Sequence, residues 1–163
     1  MRPLSSELQE FIRLLNAETV EYLIVGAWAL AFHGRPRYTG DLDIFLRRDG
    51  PNADRMMRVI EAFGFGRCGI NREDFLREDY VIQLGVEPNR IDLLTGISGV
   101  DFAEAWRCRD EGLLGAWPAH FLSRDMLIRN KRAAGRAQDM SDIELLEQTR
   151  QHTGGTNGGA GGP

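Results

Sequence analysis

The stretch Gly40-Asp41-Leu42-Asp43-Ile44-Phe45-Leu46 predicts how the chain folds and where its chemistry lies. The apolar residues around Asp43 indicate a buried strand, and an Asp-x-Asp pair stands at its beginning. Successive side chains of a strand point to opposite faces, so Asp41 and Asp43 share one face, with carboxylates roughly 6 to 7 Å apart. Two Mg²⁺ ions about 3.5 to 4 Å apart could be held between them.

A third carboxylate, Asp92, lies inside the apolar segment Arg90-Ile91-Asp92-Leu93-Leu94. A charged side chain that faces a protein core is costly unless it is paired or bound to a metal. We therefore expect this segment to be a strand beside the first acidic strand, so that the three carboxylates meet. The alternative is a buried ion pair of Asp92 with Arg37 or with Arg90.

Upstream of the carboxylates, Val25-Gly26-Ala27 predicts a turn from a strand into a helix. The N–H groups at the start of such a helix form an anion site suited to a nucleotide phosphate. Glycine is common at these junctions, so the turn is informative only because carboxylates follow it. A phosphate-binding turn with two or three carboxylates is the equipment for phosphoryl or nucleotidyl transfer.

The whole pattern predicts an α/β (α+β) domain, in which a small mixed β-sheet is flanked by helices. We assign residues 1–150 to this single domain and expect the glycine-rich residues 151–163 to form a disordered tail. The expected elements are a helix near 4–15, strands at 22–25 and 41–46, a helix at 51–63, strands at 80–84 and 90–94, a short helix at 102–106, a strand or hairpin within 113–122, and helices at 123–134 and 142–150.

Composition excludes some classes of function. The chain has 163 residues and a net charge of −4, so no general basic field for nucleic acid is present. Its longest apolar run, residues 22–32, is too short to span a bilayer, and we expect a cytoplasmic protein with no membrane contact. Cys68 and Cys108 have no metal-ligand spacing and are expected to be reduced thiols.

These motifs together resemble the nucleotidyltransferase superfamily typified by DNA polymerase beta. The nearest likeness is to small bacterial minimal nucleotidyltransferases, including abortive-infection and toxin–antitoxin members. The residues that carry it are the strand-to-helix turn at Gly26, the segment Arg37-Tyr38-Thr39-Gly40-Asp41-Leu42-Asp43-Ile44, the later Asp92, and a Lys, Arg and Asp motif within 130–142. The resemblance covers about residues 20 to 148.

The resemblance implies roles for individual residues. Asp41, Asp43 and Asp92 would bind two Mg²⁺ ions and carry the catalysis. The residues expected to contact the NTP are Gly26, Ala27, Arg37, Thr39, Lys131 and Arg136. Ala27 departs from the family, which has a second Gly or a Ser there, so a backbone donor remains but a hydroxyl donor is lost.

Lys131, the single lysine of the chain, and Arg136 would neutralise triphosphate charge under this interpretation. The alternative is that both are cations at a solvated helix end. Asp139 and Asp142 are candidates to cap the last helix, with Asp142 the simpler choice.

The predicted function is metal-dependent transfer of a nucleoside monophosphate from an NTP such as ATP to an acceptor hydroxyl, with release of pyrophosphate. The acceptor could belong to RNA, a partner protein or a small molecule, and the missing basic field favours the last two. A nucleotide-binding, antitoxin-like regulatory module without catalysis is the alternative. A haloacid-dehalogenase-like phosphatase fits poorly, because its Asp-x-Asp follows the apolar strand instead of preceding it.

Overall fold

The computed structural model describes residues 4–34 and 41–153, with side chains to residue 148. This part of the chain contains six α-helices, six strands and one short 3₁₀ helix, Arg72–Leu76. In chain order the elements are α1 (Ser6–Ala17), β1 (Tyr22–Val25), α2 (Gly26–Phe32), β2 (Leu42–Leu46), α3 (Gly50–Phe63), β3 (Val81–Leu84), β4 (Ile91–Leu94), α4 (Phe102–Arg107), β5 (Asp110–Leu114), β6 (Trp117–Phe121), α5 (Arg124–Ala134) and α6 (Ala137–Thr153).

The six strands form one mixed sheet in the order β3-β4-β2-β1-β6-β5. Strand β2 pairs in parallel with β4, and β1 pairs in parallel with β6. The other three neighbouring pairs are antiparallel. The expectation of a small mixed sheet flanked by helices is confirmed.

The central strands β1, β2 and β4 have both faces largely covered, whereas β3, β5 and β6 carry exposed residues. One face packs against α1 and α3, and it includes Leu42 and Ile44 of β2 and Ile91 and Leu93 of β4. The other face packs against helices α2, α4, α5 and α6 and includes Phe45. Since side chains alternate along a strand, the residues between these apolar pairs point toward the second face.

Local signals in the sequence explain most helix ends. Ser5 caps α1, Asp49 caps α3 and Ser123 caps α5, each through a side-chain oxygen that accepts a backbone N–H of the first turn. Gly64 and Gly135 stop α3 and α5 in the left-handed conformation, with φ of 97° and 68°.

The last helix differs from the prediction. Helix α6 begins at Ala137 instead of 142 and extends to Thr153, because Asp139 caps its first turn by accepting the backbone N–H of Arg136 at 3.2 Å. Asp142 is therefore an interior residue of α6 and not its cap. The polar, unpatterned start of the helix concealed this boundary from the sequence.

The segment around 113–122 and the C-terminal tail also differ from the prediction. The strand or hairpin expected within 113–122 is a hairpin that starts earlier, with β5 at Asp110, and β5 pairs with β6. The predicted disordered tail, 151–163, begins within α6, which includes residues 151–153, and the rest of it lies outside the described residues. Within the part that the structure describes, no helix is long and apolar enough to cross a membrane.

Candidate active site

Two of the predicted carboxylates are neighbours across the sheet. Strands β2 and β4 are parallel and adjacent, and their register places Asp43 directly opposite Asp92. Each aspartate stands between apolar residues that face α1 and α3, so both carboxylates point to the opposite face. Asp41 directly precedes β2 and lies two residues before Asp43, on the same side. The expectation that Asp92 would lie on a neighbouring strand is confirmed.

Gly26 lies directly against the side chain of Asp43. It follows Val25, which pairs with Asp43 across β1 and β2. A Cβ on Gly26 would overlap an Asp43 carboxylate oxygen and lie 3.1 Å from its Cγ. Gly26 also has a φ of +65°, a conformation that residues with a side chain rarely adopt. Glycine is thus required here to admit the Asp43 side chain, a reason that the sequence pattern alone did not reveal.

Arg90 joins two members of the acidic cluster, by which we mean Asp41, Asp43 and Asp92. Its Nη2 donates to Asp41 Oδ2 at 2.7 Å, and its Nε lies 3.2 Å from Asp92 Oδ1. Glu87, in the turn before β4, is more distant, with 3.9 Å between its Oε1 and Arg90 Nη1. The predicted alternative of an ion pair between Asp92 and Arg90 is therefore present, together with the carboxylate cluster. The other predicted partner, Arg37, lies outside the described residues.

Burial and neighbouring charges raise the pKa values of Asp43 and Asp41. Burial raises the pKa of Asp43 to about 7, and the adjacent Asp92, through its charge and a side-chain hydrogen bond, adds to the effect. Burial also raises the pKa of Asp41 above its ordinary value, although Arg90 acts in the opposite direction. Near neutral pH the Asp43 carboxyl is thus close to the midpoint of its ionisation.

The donor set suits a hard divalent cation. All candidate ligands are carboxylate oxygens, which Mg²⁺ prefers, and Asp92 Oδ1 is buried without a hydrogen-bond partner in the described structure. Among the described residues, no group of three or more His, Cys, Asp or Glu side chains is placed so that it could hold a metal ion by itself. Mg²⁺ is commonly held by one or two carboxylates plus substrate phosphates, so these residues fit such an ion.

Lys131 does not lie at a solvated helix end, which was the alternative to its predicted contact with the triphosphate. It is buried, and its Nζ lies 2.8 Å from Asp142 Oδ2 and 3.6 Å from Asp139 Oδ1. Both carboxylates are also buried. This arrangement joins α5 to α6 through charge, and it engages the ammonium that was expected to meet a triphosphate.

Arg136 is more accessible than Lys131. Its Nε donates to Asp139 Oδ2 at 2.7 Å, yet its side chain remains 78% exposed. That hydrogen bond is the main factor that raises the pKa of Arg136, and the charge of Asp43 also contributes. Burial tends to raise the pKa of Asp139, but the hydrogen bond from Arg136 holds it below its ordinary value. Arg136 therefore lies within electrostatic reach of the acidic cluster.

The remaining predicted nucleotide contacts are not all described. Gly26 and Ala27 begin α2, which has only seven residues. Arg37 and Thr39 lie outside the described residues, and the roles of all four stay predictions. His33, at the end of α2, has its Nε2 2.9 Å from the carbonyl oxygen of Leu122, which agrees with a histidine satisfied at a helix end.

Comparison with known proteins supports the fold. The sequence matches no established family model and no curated protein. The solution structure of the antibiotic-resistance factor ANT(2'')-Ia is 13% identical, with 91% of this chain and 89% of that chain covered and a TM-score of 0.56. The crystal structure of an antigenic nucleotidyltransferase-like protein from Paracoccidioides brasiliensis is 16% identical, with 93% and 79% covered and a TM-score of 0.51. The chain therefore has the nucleotidyltransferase fold.

Proposed function

We propose that this protein is a metal-dependent nucleotidyltransferase that moves a nucleoside monophosphate from an NTP to an acceptor hydroxyl. The observation that carries the proposal is the register of β2 and β4, which sets Asp43 opposite Asp92, with Asp41 nearby, on a nucleotidyltransferase fold. Two adjacent carboxylates next to a glycine turn, Asp92 buried and Asp43 partly buried, have no evident structural benefit, because the like charges repel.

Within this proposal Asp43 and Asp92 would hold Mg²⁺ together with substrate phosphates, Asp41 would be a further ligand, and two ions are expected. When bound, the metal supplies charge neutralisation for the phosphates. Asp92 accepts the proton of the acceptor hydroxyl, whose oxygen then attacks the α-phosphorus. The bond from the α-phosphorus to the bridging oxygen breaks, and pyrophosphate leaves.

Arg136 is the described cation best suited to bind the triphosphate. Its guanidinium is exposed and feels the charge of Asp43, while Asp139 fixes its orientation through the Nε hydrogen bond. Guanidinium groups recognise phosphate through paired N–H donors. We assign Lys131 an indirect role, in which its buried ammonium holds Asp139 and Asp142 in place and Asp139 in turn orients Arg136. Gly26, Ala27, Arg37 and Thr39 complete the proposed nucleotide contacts.

We propose a protein or small-molecule hydroxyl as the acceptor, rather than extended nucleic acid. The net charge of −4 supports this choice, because a polynucleotide site usually presents a basic surface. Membership of a toxin–antitoxin or abortive-infection system, and a cytoplasmic location, are further parts of the same proposal.

The direct test incubates the protein with each α-labelled NTP, Mg²⁺ and candidate acceptors, and measures label transfer together with pyrophosphate release. Asp43→Asn should abolish both signals. Asp54→Asn, at an exposed aspartate paired with Arg72, is the matched control and should retain them. Nucleotide binding without pyrophosphate release in the wild type would instead support the regulatory module.

A further inference from the structure

The Arg90 guanidinium contacts carboxylates that a bound cation would also need as ligands. Its Nη2 contacts Asp41 Oδ2 at 2.7 Å, and its Nε lies 3.2 Å from Asp92 Oδ1. The guanidinium therefore faces two carboxylates of the acidic cluster. Asp43, directly opposite Asp92, completes the surroundings. A divalent cation shared by these carboxylates would stand within a few ångströms of the guanidinium, and like charges repel strongly at that distance.

We propose that Arg90 is a built-in counter-cation, which holds Asp41 and Asp92 together in the metal-free protein and turns toward Glu87 when a divalent cation binds. The proposal rests on the proposed function, because it concerns the same carboxylates. It adds a competition between a side chain and the metal for one set of oxygen atoms.

The contact between Arg90 and Asp92 is weak enough for a divalent cation to displace it. Their closest atoms, Nε and Oδ1, lie near each other but are not aligned, and neither makes a hydrogen bond to any described residue. A second approach, from Nη2 to Asp92 Oδ2, is long at 3.4 Å. Arg90 is thus held to Asp92 mainly by charge, and a doubly charged ion competes well for such a partner.

A destination for the guanidinium lies close by. Glu87 stands three residues before Arg90, in the exposed turn between β3 and β4, and its Oε1 is already 3.9 Å from Arg90 Nη1. The Arg90 side chain is 29% exposed and the Glu87 side chain is 71% exposed. Rotation of the Arg90 side chain therefore reaches an anionic partner and solvent without a change in the course of β4.

The test measures binding of Mn²⁺ alone, by calorimetric titration and by the electron paramagnetic resonance of free Mn²⁺. The proteins compared are wild type, Arg90→Gln, Arg90→Lys and the control Arg48→Ala. Arg48 pairs with the exposed Glu78, so its loss changes net charge equally without touching the cluster. We expect Arg90→Gln to bind Mn²⁺ roughly threefold to tenfold more tightly than Arg48→Ala, and Arg90→Lys to fall between Arg90→Gln and the wild type.

A second measurement reports on the metal-free state. Thermal melts in excess chelator should show Arg90→Gln less stable than Arg48→Ala, and saturating Mn²⁺ should reduce that difference. Equal Mn²⁺ affinity in Arg90→Gln and Arg48→Ala would overturn the role of Arg90 and leave the metal site standing. Absence of Mn²⁺ binding in every variant would overturn both the metal site and the competition. If Arg90→Gln does not fold, the Arg90→Lys titration decides, and affinity equal to wild type overturns the proposal.

Discussion

Asp43 and Asp92 lie directly opposite each other on the adjacent parallel strands β2 and β4, and the charge of Asp92 adds to the burial that raises the pKa of the Asp43 carboxyl. A neighbouring negative charge and burial both disfavour the ionised form of a carboxyl group. The pair therefore connects the acidity of the solution to both protein stability and metal binding.

Asp43→Asn should change how stability depends on pH. The pKa of Asp43 rises from 3.8 in the unfolded chain to about 7 in the folded protein, so the folded state holds the proton more tightly. The resulting stability is complete below pH 3.8 and is lost as the pH rises through 7. In excess chelator the variant should therefore be more stable than wild type by about 2 to 4 kcal/mol at pH 8, with the difference vanishing toward acidic pH.

Urea unfolding of the wild type and Asp43→Asn between pH 4 and 8 measures this dependence. Asp54→Asn, at an exposed site, should follow the wild-type profile throughout. Parallel profiles for wild type and Asp43→Asn would show that Asp43 ionises normally in the folded protein.

Gly26→Ala should disturb the acidic cluster itself. The new methyl group would overlap the Asp43 carboxylate, and the positive φ of Gly26 adds backbone strain. Gly69 is the matched control, since it has a φ of +75° and a methyl group added there would meet no atom within 4 Å. Gly69→Ala should cost about 1 to 2 kcal/mol from strain alone, and Gly26→Ala about 1 to 3 kcal/mol more.

A double-mutant cycle isolates the collision from the strain. In an Asp43→Ala background the carboxylate is gone and only the Cβ of residue 43, 3.2 Å from the new methyl group, remains, so most of the excess cost of Gly26→Ala over Gly69→Ala should disappear. The measurement is the free energy of unfolding by urea. An unchanged cost of Gly26→Ala in that background would refute the steric link between Gly26 and Asp43.

Lys131→Met should lower stability instead of acting only on nucleotide affinity. Its ammonium is buried against Asp142 and Asp139, and removal of one partner of a buried ion pair typically costs about 3 to 5 kcal/mol. Arg132→Ala, which removes an exposed ion pair with Glu147, should cost at most about 1 kcal/mol. Denaturant unfolding separates the two, and equal losses would contradict a structural role for Lys131.

Arg136→Ala should weaken nucleotide binding. A hydrogen bond to a charged group contributes about 1.5 to 3 kcal/mol, so the dissociation constant should rise roughly tenfold or more. Arg132→Ala removes an equally charged, 61% exposed side chain from the same region and serves as the control. Calorimetric titration of a non-hydrolysable NTP in Mg²⁺ makes the comparison, and equal affinity of the two variants would exclude Arg136 from the site.

The acidic strand and its neighbour were predictable from sequence because their signals are local. Asp43 and Asp92 each interrupt an apolar run, and burial makes such a charge informative. The caps Ser5 and Ser123 and the stops Gly64 and Gly135 likewise act within a few residues of their own positions. These features therefore located the core strands and three helices without knowledge of tertiary contacts.

The features that escaped prediction depend on contacts between distant parts of the chain. Gly26 requires glycine because β1 is paired with β2, which a single strand-to-helix turn does not reveal. Lys131 becomes buried only when α6 folds back over α5 and brings Asp142 to it. Before that packing is known, a lysine near a helix end is indistinguishable from one that faces solvent.

The central position of β1 has a consequence for how the molecule assembles. β1 is flanked by β2 on one side and by β6 on the other, and Ile24 pairs with Phe121, which lies far later in the chain. Closure of so long a loop slows folding. During synthesis β1 exposes an open edge until the final hairpin emerges, so the nascent chain is most prone to mispairing in that interval.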